Sequence, residues 1–334
     1  MTDSSKMRAH LEIMQLAATS AAFTAAAETG LLAALEPAAR TAEALAEATA
    51  CDAFATARVL DVLVETGVVE RSDQGYALGP LATPGFGDPI TDLARAGELW
   101  ARLPDYLRDG RGAHFHGRAP QPRGVYADVV QSLGRLMHAG AAELAAHYPQ
   151  RARPPRHILD IGAGSGVWSL AMAALLPEVT VTAFDLPPVL GAFEREAASA
   201  GLAARVATHA GDYHQDLPLQ ARFDRVLLGN VVHLEPPEQA ATLVARAGEC
   251  VAQGGDLVLI DVPAGPGTAA RKRAAAYGLH LALRSGRGQV HTQSMQRAWL
   301  ADAGFVQYEE VPLAAADLVA IIARRAAGQE GSPS

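Results

Sequence analysis

Only two cysteines, Cys51 and Cys250, occur among 334 residues. That is too few for a disulfide framework and points to a reducing compartment. No uninterrupted apolar run is long enough to span a membrane. The first ten residues, MTDSSKMRAH, lack the basic-then-apolar order of a secretory signal. Together these absences predict a soluble, cytoplasmic protein with no membrane partner. Aromatic residues make up 5% of the chain, which disfavours a stacking platform for large planar ligands. Positive charge is also scarce: 28 Lys and Arg against 36 Asp and Glu give a formal charge of −8. That balance argues against a nucleic-acid partner, whose phosphates need clustered cations. What the chain does have is apolar bulk, 49% of residues, enough for two domains with ample core.

The first 85 residues read as mostly helical with a small β appendage. Leu11–Leu35 is Ala-rich and interrupted at Gly30. Thr41–Ala48 and Asp52–Thr66 each begin with an N-capping side chain, and Gly67 ends the second. Val68–Leu78 predicts a hairpin turning at Ser72-Asp73-Gln74-Gly75. Helix, turn, helix, hairpin is a winged helix. Its would-be recognition helix carries Asp52, Arg58, Asp61 and Glu65, a net negative face that suits a major groove poorly. Residues 86–150 form a connecting region, rich in Gly, Pro and Arg up to about 122, with a helix over Tyr126–Tyr148. The tail from 327 to 334 reads as disordered.

From 151 to 326 strands and helices alternate, which predicts an α/β fold with a doubly wound, mostly parallel, seven-stranded sheet. The strands are His157–Ile161, Val179–Asp185, Val206–His209, Phe223–Leu228, Leu257–Val262, Val306–Val311 and Leu318–Ala323, with a helix over Pro237–Ala252. Between the first two lies the most telling stretch, HILDIGAGSGVWSLAMAALLPEVTVTAFD. It is a strand, a turn with Gly162, Gly164 and Gly166, a helix stopped by Pro177, and a strand ending on Asp185. Glycines at such a turn let backbone approach a ligand. A carboxylate at the next strand end can accept two ribose hydroxyls, so the ligand should carry a nucleoside. A dinucleotide fold wants a small third residue in G-x-G-x-x-G/A, but Val167 stands there.

The pattern D-x-G-x-G-x-G from Asp160 instead resembles the first motif of class I S-adenosylmethionine-dependent methyltransferases. Gly211-Asp212-Tyr213 is similar to that family's G-D-F/Y element, and VAQGGDLVLIDV to its R-P-G-G-R-L-L-I-x-[DE] segment. The winged helix fits the plant-type and bacterial small-molecule O-methyltransferases, where it serves dimerisation; a DNA-binding regulator is the distant alternative. The resemblance implies a Rossmann-like catalytic domain, a homodimer and a small natural-product acceptor. It implies a cofactor site of Asp160, Gly162, Gly164, Asp185, Leu186, Gly211, Asp212, Tyr213 and Asn230. Linking helices would line the acceptor pocket, with Met137 and His138 as candidates.

The family's general base is a His after the fourth strand, often in H-D-W; here the segment is His233-Leu234-Glu235. A neutral imidazole can take a hydroxyl proton during methyl transfer. Asp261, at the fifth strand's end, matches the acid that flanks the base. The family's G-G-K-E-R-T segment corresponds to GRGQVHT, which puts Val290 in place of Glu and His291 in place of Arg. Two readings stay open. In the leading one O-methylation needs no metal, with His233, Asp261 and His291 at the acceptor. In the other these three hold a divalent metal or iron for C-methylation of a 2-oxo acid, with Arg284 and Arg287 near its carboxylate.

Overall fold

The computed structural model describes residues 3–35, 38–80, 99–112, 123–147, 154–217, 222–262, 264–265, 267–314 and 318–325. The 326–334 tail and most of the segment from 82 to 122 lie outside these. Contacts divide the chain into two units, Met1–Ala101 and Arg102–Ser334. The cut falls between Ala101 and Arg102, inside the connecting region read from 86 to 150.

In the first unit, helices α1 (Asp3–Glu28), α2 (Leu31–Ala34), α3 (Ala42–Thr49) and α4 (Ala53–Val64) precede a hairpin of β1 (Val69–Ser72) and β2 (Gly75–Leu78). Local chemistry sets these bounds. Thr41 Oγ1 accepts from the Ala44 N–H at 3.2 Å, and Asp52 Oδ1 from the Ala55 N–H at 2.9 Å, capping α3 and α4. Apolar faces meet in one core that includes Leu32, Leu45, Leu60, Leu63, Val69 and Tyr76. Of the charges read on the recognition-like helix, Asp61 reaches the hairpin. Asp61 pairs with Arg58 at 2.8 Å and Arg71 at 3.4 Å and accepts from the Tyr76 hydroxyl at 3.0 Å.

The second unit opens with α5 (Leu103–Asp109) and α6 (Arg123–His147). Its strands are β3 (His157–Ile161), β4 (Thr180–Asp185), β5 (Val206–Ala210), β6 (Phe223–Gly229), β7 (Val251–Asp261), β8 (Phe305–Leu313) and β9 (Leu318–Arg325). They form one sheet in the order β5-β4-β3-β6-β7-β9-β8. Only β9 runs against its neighbours. The predicted Pro237–Ala252 helix stops at Glu249, because Val251 already pairs with Phe223 as the start of β7.

Residues on successive strand positions enter opposite cores. Ile158, Val181, Leu227 and Val258 face one side, packed with Leu144 of α6, Met172 of α7 (Val167–Leu175) and Phe193 of α8 (Pro187–Ser199). Leu159, Phe184, Val226 and Leu257 face the other, with Leu243 of α9 (Pro237–Glu249) and Leu300 of α11 (Gln293–Asp302). Between these last two helices runs α10 (Thr268–Ser285). Both faces are covered, as a parallel sheet requires. The chain runs β3, β4, β5 to one edge and returns to β6 on the far side of β3. Ligands bind at the carboxyl ends of strands beside such a reversal.

Candidate active site

A cavity of about 520 Å³ opens at those strand ends. Four turns form its floor. After β3, Gly162, Gly164 and Gly166 all take positive φ, 68°, 58° and 78°, a region that L side chains rarely adopt. The first and third are also sterically required. A Cβ on Gly162 would meet Val231 at 2.7 Å, and one on Gly166 would meet the Phe193 ring at 2.6 Å. At the end of β4, Asp185 lines the cavity. Its Oδ2 accepts from the Gly164 N–H at 2.8 Å and its Oδ1 from the Leu186 N–H at 2.7 Å. Burial outweighs these two donors and pushes its pKa up to about 6.

After β5, Gly211, Asp212 and Tyr213 reach the cavity. Arg246 of α9 anchors this turn by donating to the carbonyls of Tyr213 at 2.8 Å and Gln215 at 3.0 Å. The Tyr213 hydroxyl donates to Glu235 at 2.6 Å, and His214 Nε2 lies 3.0 Å from the same oxygen. After β6, Asn230 sits at φ 58°, and its Oδ1 accepts from Trp168 Nε1 at 3.2 Å. Its Nδ2 is buried at the cavity wall without a partner. A buried donor of this kind wants an acceptor.

His233 follows on the short turn Val232–Leu234 and is 3% exposed. Its Nδ1 lies 2.5 Å from Asp261 Oδ1, which also accepts from the Val262 N–H at 2.7 Å. A carboxylate partner places the hydrogen on Nδ1 and leaves the Nε2 lone pair facing the cavity. The Tyr277 hydroxyl stands 3.5 Å from that Nε2. Burial and the nearby Asp261 charge raise the Tyr277 pKa, so the phenol stays a donor. His280 stacks on Tyr277 at 6.0 Å, and Arg284 Nη1 lies 3.5 Å from His280 Nε2. Burial first and Arg284 second push the His280 pKa down to about 4.

Among the residues expected from sequence, Gly162, Gly164, Asp185, Leu186, Gly211, Asp212, Tyr213, Asn230 and His233 line one cavity. Met137 joins them, whereas His138 is exposed and stays outside. Asp160 lies beneath the glycine loop, not on the cavity. It is 1% exposed, accepts from Ser169 Oγ at 2.5 Å, and is pushed up to about 7, chiefly by burial. That hydrogen bond ties the end of β3 to the first turn of α7. Asp261 likewise stands behind His233.

His291 is placed differently from the sequence expectation. Its Nε2 lies 3.1 Å from both the Val232 and Glu235 carbonyls, and its ring meets Trp299 edge-on at 4.8 Å. It braces the turn that carries His233 and is absent from the cavity lining. Among the described residues no group of three or more His, Cys, Asp and Glu is placed to hold a metal ion. Asp261 Oδ1 and His291 Nε2 are taken up by His233 and by two backbone carbonyls, while Asp261 Oδ2 and His291 Nδ1 are buried without a hydrogen-bond partner. Tyr277 and His280 were missed by the motif comparison. Their signal was present as Tyr277, His280 and Arg284, spaced three and four along one helix.

Comparison with known proteins agrees with this geometry. Residues 108–306 match an O-methyltransferase domain and residues 11–83 an O-methyltransferase dimerisation domain. The tetracenomycin polyketide synthesis 8-O-methyl transferase TcmO of Streptomyces glaucescens is 27% identical over 282 residues, 78% of this chain and 80% of that one. The 3-hydroxy-5-methyl-1-naphthoate 3-O-methyltransferase of Streptomyces sahachiroi is 24% identical over 90% of each chain. Human N-acetylserotonin methyltransferase, solved with S-adenosylmethionine, superposes with a TM-score of 0.73 at 20% identity, over 97% of this chain and 98% of that one. No described helix is long and apolar enough to cross a membrane. With both characteristic domains present in order, the chain belongs to the O-methyltransferase family, enzymes that use S-adenosylmethionine as methyl donor.

Proposed function

We propose that this enzyme O-methylates a hydroxyl of a small natural-product acceptor, as a cytoplasmic homodimer assembled through its N-terminal domain, with His233 as general base. The carrying observation is the His233–Asp261 pair at the cavity wall, with Nδ1 committed and Nε2 facing inward.

The cavity suits the donor. S-adenosylmethionine, when bound, supplies an electrophilic methyl group on a sulfonium. Three carboxylates, Asp185, Asp212 and Glu235, line the wall and complement that cation. Asp185 would accept the ribose hydroxyls, with Asn230 also in the cavity lining. Near the base, Asp261 fixes the imidazole's tautomer and orientation. His233 Nε2 takes the proton that the acceptor hydroxyl sheds as its oxygen is methylated. Tyr277 supplies a hydroxyl beside that nitrogen to orient the acceptor oxygen. The rest of the rate comes from alignment of the two substrates.

The test is acceptor-dependent release of S-adenosylhomocysteine across a panel of hydroxylated aromatic compounds, each beside its counterpart with that hydroxyl already methylated. Turnover is expected only with free hydroxyls. Equal turnover of blocked counterparts contradicts the assignment.

Asp185 also sets a pH dependence. Its folded pKa is raised to about 6, so it is anionic at neutral pH and protonated below. Only the anion accepts from two hydroxyls. Affinity for S-adenosylhomocysteine should be level above pH 7 and fall about tenfold per unit below pH 6, because binding then requires loss of a proton. Calorimetric titration across that range checks it; flat affinity down to pH 5 contradicts the role given to Asp185.

A further inference from the structure

The cavity lining carries both signs of charge, on different segments. Its acidic lining residues, Asp185, Asp212 and Glu235, belong to the turns that follow β4, β5 and β6. Its cations, Arg111, Arg284 and Arg287, come from elsewhere. Arg284 sits on the face of α10 that carries Tyr277 and His280. Arg111 and Arg287 are carried by two backbone segments pressed together: a Cβ on Gly112 would fall 2.2 Å from the Gly286 nitrogen. The Tyr106 hydroxyl donates to the Gly286 carbonyl at 3.3 Å and fastens this junction. The nearby Asp109 carboxylate takes the Arg111 backbone N–H at 2.8 Å. The His280 imidazole is held neutral, so the positive charge here is that of the guanidinium groups.

The methyl donor carries a single carboxylate, on its amino-acid end, which three arginines exceed. Arg284 shares its helix face with Tyr277, whose hydroxyl stands 3.5 Å from His233 Nε2. We propose that the acceptor is a hydroxy acid whose carboxylate is bound by Arg284, with Arg111 and Arg287 at the mouth. Guanidinium groups match a carboxylate in both charge and planar geometry. Tyr277 and Arg284 are seven residues apart on one helix, about 10 Å. The reacting hydroxyl and the carboxylate therefore lie at opposite ends of a one- or two-ring scaffold. This inference rests on the O-methyltransferase reading above and names the acceptor class for it.

The test uses the full-length protein loaded with S-adenosylhomocysteine. The probes are one- and two-ring aromatic hydroxy acids, such as 4-hydroxybenzoate and 6-hydroxy-2-naphthoate, each paired with its methyl ester. Calorimetry should show the best acid binding roughly tenfold or more tighter than its ester, the size expected for a charge-assisted hydrogen bond. Arg284→Gln should erase that preference and leave S-adenosylhomocysteine affinity unchanged, which shows that the variant is folded. Arg287→Gln, more exposed, should reduce it less. Esters that bind as well as their acids, a panel in which no acid binds, or a preference that survives Arg284→Gln each overturn the proposal. Failure of the enzyme assignment looks different: wild-type protein would then not bind S-adenosylhomocysteine at all.

Discussion

His233→Asn lowers kcat by about 10²- to 10⁴-fold, the range for loss of a positioned general base, while S-adenosylhomocysteine affinity stays within about twofold of wild type. Asparagine is the informative replacement. Its amide nitrogen can stand where Nδ1 stands and keep donating to Asp261, which is 3% exposed. Alanine would leave that buried carboxylate with only the Val262 N–H on Oδ1, a cost of about 1–3 kcal/mol that confuses folding with chemistry. Asparagine cannot place a basic nitrogen at Nε2. The lost step is therefore proton removal, and the loss should shrink for acceptors acidic enough to arrive ionised. Stopped-flow or steady-state kinetics with such a pair of acceptors measures it. A kcat within tenfold of wild type for a weakly acidic acceptor removes His233 from the role of base.

Asp185→Ala strongly weakens cofactor binding. Two charge-assisted hydrogen bonds to ribose, each about 1.5–3 kcal/mol, amount to a loss of about 10²-fold or more. The loop suffers as well, because Asp185 holds the Gly164 and Leu186 N–H groups. The cleanest readout is thermal. At a ligand concentration 100 times the dissociation constant, wild type gains about 2.7 kcal/mol of stability and its Tm rises accordingly. At a 10²-fold loss the variant would gain only about 0.4 kcal/mol at the same concentration, so its Tm should move by a small fraction of the wild-type shift. A ligand-induced Tm shift of wild-type size in Asp185→Ala would show that the ribose is held elsewhere. Comparison of unliganded Tm values separates loop damage from lost contacts.

The donor half of the site was far more legible in the sequence than the acceptor half. A strand, a glycine turn and an acid one strand later are local features, and each element spans fewer than about ten residues. The sheet reversal then places their ends together without further information. Asp160 shows the limit of that logic. Its motif position is right, yet its carboxylate turns down onto Ser169 because the strand end buries it. Position in a motif does not say on which side of the backbone a side chain works.

The acceptor half depends on contacts between distant segments. Arg111 and Arg287 come together because Gly112 and Gly286 allow their backbones to touch, a pairing that no periodicity reveals. His291 was legible as a polar residue in a motif slot but not as a brace. Its two carbonyl partners belong to the His233 turn, and its ring meets Trp299 of α11 edge-on. Tyr277 and His280 could have been found by asking which face of α10 is polar and which of its residues follow at helical spacing.

The measurement that tests the central claim most directly is transfer of a ¹³C-labelled methyl group from S-adenosylmethionine to the best acceptor found, read by carbon-detected NMR of the product. The account predicts a single new O-methyl resonance with wild-type enzyme and almost none with His233→Asn at equal cofactor occupancy. Label on carbon or nitrogen, or an O-methyl product formed equally fast by His233→Asn, would contradict it.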